Sequence, residues 1–159
     1  MASVRAVDLA EPFPTVLLST EAVTAARMIG EGRLAGLIVC EDDGTPHTVL
    51  GGSQVVRFMI PEYVQEDPTL ARVYGEDAAA KLVDRLSTRT VRDLLPRRQD
   101  RTALPVVDRD ATTVEIAAVM ARMHSPLVAV LDDEGRVSGA VTASRLLERI
   151  FTRDGDASS

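Results

Sequence analysis

One pattern occurs twice in this chain, and the duplication restricts its folds more than any other feature. Residues 111–150, ATTVEIAAVMARMHSPLVAVLDDEGRVSGAVTASRLLERI, read as helix, strand, strand and helix, and a degenerate version occupies residues 19–59. A unit too small to bury its own apolar face buries it against a copy of itself. A period of roughly ninety residues is far too long for a solenoid and fits a tandem pair of small domains.

The second copy is the clearer one. Val114, Ala117, Ala118 and Ala121 recur at helical spacing, with Thr112 as N-cap and Glu115 three residues on, so the pattern predicts a capped helix from Thr112 to Arg122. The β-branched run Leu127 to Leu131 reads as a strand ended by Asp132 and Gly135, followed by a strand Val137 to Val141 and a helix Ala143 to Ile150. In the first copy Thr20 aligns with Thr112, Ala25 and Ala26 with Ala117 and Ala118, Met28 with Met120, and Asp43-Gly44 with Glu134-Gly135. One inserted residue near Gly36 keeps Leu50 level with Val141.

Each copy has a lead-in. VRAVDLA at 4–10 and VRDLL at 91–95 each read as a short helix or turn, followed by a Pro-containing loop and an apolar strand, Thr15 to Leu18 and Leu104 to Val107. Each half then runs strand, helix, strand, strand, helix, an α+β (α/β-like) arrangement with helices on one side of a small sheet. The expected division is 4–60 for the first domain, 61–87 for a helical insert, 88–151 for the second domain and 152–159 for a disordered tail. Within the insert, Leu70, Val73, Tyr74, Ala78, Leu82, Val83 and Leu86 recur at helical spacing after Pro61 and Pro68.

Composition narrows the function classes. A hydrophobic fraction of 45% and a mean hydropathy of +0.04 suit a folded chain. No apolar run approaches the roughly eighteen residues of a membrane span, and the first residues lack a signal-peptide pattern, so a cytoplasmic protein without membrane insertion is expected. Cys40 is the single cysteine, which excludes an internal disulfide. A net charge of −6 and pI near 4.9 argue against nucleic acid as a partner. The basic segment with Arg92, Arg97, Arg98 and Arg101 is the local exception, read as a solvated connection or as an anion or partner contact.

No nucleophile and base stand in a catalytic spacing, so an enzyme is not expected. His124 follows a helix at a turn and reads as a solvent-exposed or capping residue. Asp132, Asp133 and Glu134 superficially resemble a metal cluster, but a tight turn between strands uses the same residues for backbone hydrogen bonds. Gly51-Gly52-Ser53 reads as a strand-to-helix turn with Ser53 as N-cap, leaving backbone N–H groups that a phosphate could use. Met28, Met59, Met120 and Met123 read as core filler.

The lead-in VRDLL, the strand LPVVD at 104–108, the helix DATTVEIAAVMAR and the segment VLDDEGRVSGAVTASRLLERI together resemble the tandem CBS-domain pair, or Bateman module, over residues 4–60 and 88–151. The resemblance implies two β-α-β-β-α units packed with pseudo-twofold symmetry, in a stand-alone regulatory protein. It also implies adenine-containing ligands in inter-domain clefts, with AMP, ADP, ATP, S-adenosylmethionine or cyclic di-AMP as candidates and no required cofactor.

Carried over residue by residue, the family's ligand contacts fall on Thr112 and Ala117, with Thr20 and Ala25 as first-half counterparts, and on Thr142 at the strand end. The family's ribose-binding Asp is replaced by Arg145 in the second half and Gln54 in the first, where Gly51 also replaces the strand-end Thr and Ser53 follows. Arginine has donors only, so Arg145 would grip phosphate instead. The second-half cleft is therefore expected to be the working one. A homodimer is expected through the helices Ala22 to Ile29 and Glu115 to Met123, with a regulated enzyme or transporter as unidentified partner. The alternative is a ligand-free interaction scaffold with degenerate clefts.

Overall fold

The computed structural model describes residues 4–101 and 103–158, with side chains through Thr152. The elements run α1 (Ala6–Leu9), β1 (Thr15–Leu17), α2 (Ala22–Gly32), β2 (Gly36–Cys40), β3 (Pro46–Gly51) and α3 (Gly52–Met59). The insert follows as α4 (Glu62–Glu66), a 3-10 helix (Pro68–Val73) and α5 (Glu76–Asp84). The second half comprises α6 (Val91–Leu94), a 3-10 turn (Arg98–Asp100), β4 (Val106–Val107), α7 (Thr113–Met123), β5 (Leu127–Leu131), β6 (Val137–Thr142) and α8 (Ala143–Ser158). Two three-stranded sheets result, ordered β1-β2-β3 and β4-β5-β6, with β1 parallel to β2, β4 parallel to β5, and β6 antiparallel to β5.

The repeat is more regular than its residues suggest. Ala22 and Thr113, Gly36 and Leu127, and Pro46 and Val137 open equivalent elements, each pair 91 residues apart. The left-handed helix caps Arg33 and His124 keep the same spacing, as do the positive-φ turn glycines Gly44 and Gly135. No residue is therefore inserted near Gly36. The structural counterparts of Thr112 and Ala117 are Glu21 and Ala26, not Thr20 and Ala25, because the helix ends and turns fix the register and small side chains do not.

The lead-ins pack against the other repeat. Contacts divide the chain into two compact units, one gathering the chain up to Phe13, the turn Asp43–Pro46 and everything from Ala103 onward, the other holding Pro14–Asp42 and His47–Thr102. In the first of these, Ala6 N–H donates to Ala111 O at 2.8 Å, and Ala6 and Leu9 are buried with Val107, Ile116, Val128, Val130 and Val141. In the other, Val91 N–H donates to Thr20 O at 2.8 Å, and Val91, Leu94 and Leu95 join Val16, Leu37, Val39 and Leu50. The contact units thus differ from a division at 4–60 and 88–151, since each lead-in helix completes the core of the repeat that does not follow it. Asp8 accepts from Arg5 N–H at 3.0 Å and Asp93 from Thr90 N–H at 2.9 Å, so both lead-in helices are capped alike.

At α7, Glu115 N–H donates to Thr112 Oγ1 at 3.1 Å, the cap read from the pattern. Thr112→Ala is expected to cost about 1 kcal/mol, measured by denaturant unfolding. At α3 the N-cap is Gly51, two residues earlier than Ser53: Gln54 Oε1 takes the Gly51 N–H at 2.7 Å, so Ser53 lies inside the helix. The backbone of α8 continues to Ser158, past Ile150 and over most of the tail expected to be disordered.

The insert is helical but shallowly packed. Val64 and Leu86 are buried, whereas Tyr63, Leu70, Val73, Tyr74 and Val83 are exposed. Its apolar periodicity therefore marks a surface more than a core. Among the described residues, no helix is long and apolar enough to cross a membrane.

Candidate ligand-binding site

Each repeat turns from its last strand into its last helix through a corner where candidate ligand contacts collect. In the second repeat, Thr142 Oγ1 accepts the Arg145 N–H at 3.2 Å and lies 3.2 Å from Ser144 Oγ, so the hydroxyl caps α8. The Arg145 guanidinium is already engaged: Nε lies 3.4 Å from Glu11 Oε1 and Nη1 3.8 Å from Glu148 Oε2. Nε is shut off from solvent, and its approach to Glu11 lacks hydrogen-bond geometry. Phosphate would compete there with two exposed carboxylates, pairings of the weak surface kind.

Glu11 reaches Arg145 because the N-terminal chain pairs with β6. Glu11 and Ala140 exchange both backbone hydrogen bonds at 3.0 Å. Gly139 permits this approach, since a Cβ there would stand 2.9 Å from Glu11 O.

The first-repeat corner is built differently. Gly52 N–H donates to Ala35 O at 2.8 Å, tying the start of α3 to the strand entry. With its Oε1 occupied by Gly51 N–H, Gln54 retains two amide donors. A cavity of about 410 Å³ opens beside it, lined by Gln54, Arg57, Phe58, Pro96, Arg97 and Asp100, among others. Neither Arg57 nor Arg97 has an ion-pair partner among the described residues.

The remaining sequence candidates separate into surface and core. Thr112 is exposed, with its hydroxyl used as a cap. Thr20 accepts Leu17 N–H through Oγ1 at 2.9 Å, closing the turn after β1. Ala25 is 0% exposed inside the first core, which leaves no surface for a ligand. Ala117 is half-buried and lines a cavity of about 440 Å³ with Met120, His124, Ser125, Pro126 and Leu146. Thus Thr142 and Arg145 share one corner and Ser53 and Gln54 another, Thr20, Ala25 and Thr112 belong to helix entries and packing, and Ala117 lines a cavity beside α7.

The turn reading of Asp132 is direct: its Oδ1 accepts Glu134 N–H at 2.8 Å and Arg136 N–H at 3.0 Å. Those bonds, with the Arg136 charge, hold its carboxyl below the ordinary value. Among the described residues no cluster of His, Cys, Asp and Glu is arranged to hold a metal. His124 caps α7 in the left-handed conformation, as its position at a turn predicted.

Sequence reasoning missed Glu11, Arg57 and Arg97. Arg97 lay within the segment noted for its charge, and Arg57 falls one turn beyond Gln54 on the same helix face. Glu11 had no local signal, because its partner stands on the far repeat.

The geometry has counterparts among known proteins. The family model for the CBS domain matches residues 90–152. A crystal structure of a CBS-domain-containing protein of unknown function from Kribbella flavida is 48% identical, covering 94% of this chain and 99% of that one, with a TM-score of 0.87. The structure of CBSX2 in complex with AMP is 17% identical over 96% of this chain and 99% of that one, with a TM-score of 0.64. A second structure of CBSX2, a CBS-pair protein from Arabidopsis thaliana, is 17% identical over 96% and 98% of the two chains, with a TM-score of 0.69. At that identity the likeness concerns the fold alone. No curated protein matches the chain.

Proposed function

Because the chain belongs to the CBS-domain family and carries the tandem pair, we propose that it is a regulatory module that binds an adenine nucleotide and passes the resulting change to a partner protein. The observation that carries this reading is the cavity of about 410 Å³ at the β3–α3 corner, with unpaired arginines and amide donors beside an apolar wall. Its size lies within the range of roughly 300–1,000 Å³ for small-molecule sites, and its lining combines the apolar Phe58, Leu94, Leu95 and Pro96 with polar groups. CBSX2 holds AMP on the same fold, which supports the ligand class. The ligand would act by differing in affinity for two arrangements of the protein. The proposed setting is cytoplasmic, and the proposed role is regulation, not catalysis.

A homodimer belongs to the proposal, and exposed apolar groups offer two surfaces for it. Val114 of α7 is exposed, while Ala22 and Ala25 of α2 and Ile116 and Met120 of α7 serve their own cores. Leu147, Ile150 and Phe151 of α8 and the apolar face of the insert are exposed as well.

A thermal-shift screen with AMP, ADP, ATP, S-adenosylmethionine and cyclic di-AMP tests the reading. A ligand at a hundredfold its Kd is expected to add about 2.7 kcal/mol of stability. If every midpoint stays still, the second reading takes over: a ligand-free interaction scaffold. It is favoured by one observation, the occupation of Arg145 by Glu11 and Glu148.

A further inference from the structure

The lead-ins are tied down by matching backbone bridges, with one exception. Arg5 pairs with Thr112 in one unit and Thr90 with Glu21 in the other, at equivalent positions of the two repeats. Further along the first lead-in, Glu11 and Ala140 exchange two backbone hydrogen bonds at 3.0 Å. The equivalent pair is Pro96 and Val49, and no such bridge forms between them among the described residues, since proline has no N–H to give.

Side chains take the place of that bridge. Pro96 O accepts the Arg101 Nε–H at 2.9 Å, and Arg101 Nη1 lies 3.0 Å from Nε2 of His47, two residues before Val49 on β3. The other ring nitrogen, Nδ1, lies 3.1 Å from Glu41 Oε1. Arginine only donates, so Nε2 must be bare; the ring is then neutral, with its one proton on Nδ1 and donated to the Glu41 carboxylate.

A second proton has one place to go, Nε2, where it removes the acceptor and sets two cations against each other. Glu41 keeps its hydrogen bond and gains an opposite charge. The ring is only 15% exposed, so both neighbours feel that charge. Of the ionisable residues flanking Glu41 in sequence, Cys40 is buried at the end of β2, while Asp42 accepts from Ser19 Oγ at 3.1 Å and Asp43 from Thr45 Oγ1 at 2.7 Å. Arg97, Arg98 and Asp100, on the segment that Arg101 ends, make no ion pair or hydrogen bond with the ring.

We propose that Glu41, His47 and Arg101 form a proton-operated strap: the neutral ring holds the 96–101 segment to β3, and the protonated ring releases it. Pro96, Arg97 and Asp100 line the cavity beside Gln54, so the same proton loosens one wall of that cavity, whichever ligand it takes.

Two-dimensional NMR of the full chain, titrated from about pH 8 to about pH 5, where an imidazole changes charge, tests the strap. The backbone amides of Arg97 to Arg101 are expected to shift with the same midpoint as the His47 ring. In His47→Gln, whose amide oxygen accepts without titrating, that midpoint is expected to vanish. Arg101→Gln is expected to keep those amides at their low-pH positions throughout. His124, in the other unit, titrates in all three proteins as the internal control, and circular dichroism verifies folding. Amides that stay still while His47 titrates overturn the strap, as does a midpoint that persists in His47→Gln. A His47 ring that stays neutral across the whole range overturns the release.

Discussion

Leu9→Ala is expected to destabilise the protein by about 2–5 kcal/mol, as large-to-small changes at buried leucines do. Leu9 is 1% exposed and lies in the core of the second repeat's sheet with Val107, Ile116, Val128, Val130 and Val141. A substitution near the N-terminus should therefore loosen strands more than a hundred residues away in sequence. Hydrogen exchange should show protection lost first in β5, β6 and α7, with β1 to β3 affected less. A cost below about 1 kcal/mol, or loss of protection confined to the first repeat, would show that α1 does not complete this core.

Leu86→Ala is expected to cost a similar amount, about 2–5 kcal/mol, while Val73→Ser stays within about 0.5 kcal/mol of wild type. Both residues belong to the apolar periodicity of the insert. Leu86 is 2% exposed and packs in the core with Val16, Leu37, Val39 and Leu50, whereas Val73 is 85% exposed. The insert is anchored at its end by the burial of Leu86, where the chain turns toward α6. Urea unfolding of the two variants checks the contrast. Equal costs would mean that the middle of the insert is packed as firmly as its end.

These contrasts show where local pattern suffices. The capped start of α7 was legible because Thr112 and Glu115 satisfy backbone donors three residues away, a short-range geometry. The strands β5 and β6 were legible from a β-branched run broken by an Asp-Gly turn, since Asp132 folds back on its own backbone. The repeat register was less secure. Alanines and a threonine suggested one alignment of α2 with α7, while the left-handed caps Arg33 and His124 impose another, one residue away. That single residue moves Ala25 from a candidate contact to a position sealed in the core.

The candidate site depended more on tertiary structure. Reading Arg145 in its local context leaves a cation without a partner, and phosphate is the natural one to supply. Glu11 supplies a carboxylate instead, brought there by a backbone pairing with Ala140 that Gly139 leaves room for. Conversely, Arg57 and Arg97 are far apart in sequence and line one cavity only because α6 packs against the first repeat.

By itself, the sequence determined the duplicated α+β unit, the position of nearly every element, the helical insert and the family resemblance, because periodicity, caps and turns act over a few residues. Only the tertiary structure decided which lead-in completes which core and which corner keeps free cations. Those outcomes turn on the burial of Leu9 and Val91 and on pairings across about a hundred residues, for which local sequence carries no signal.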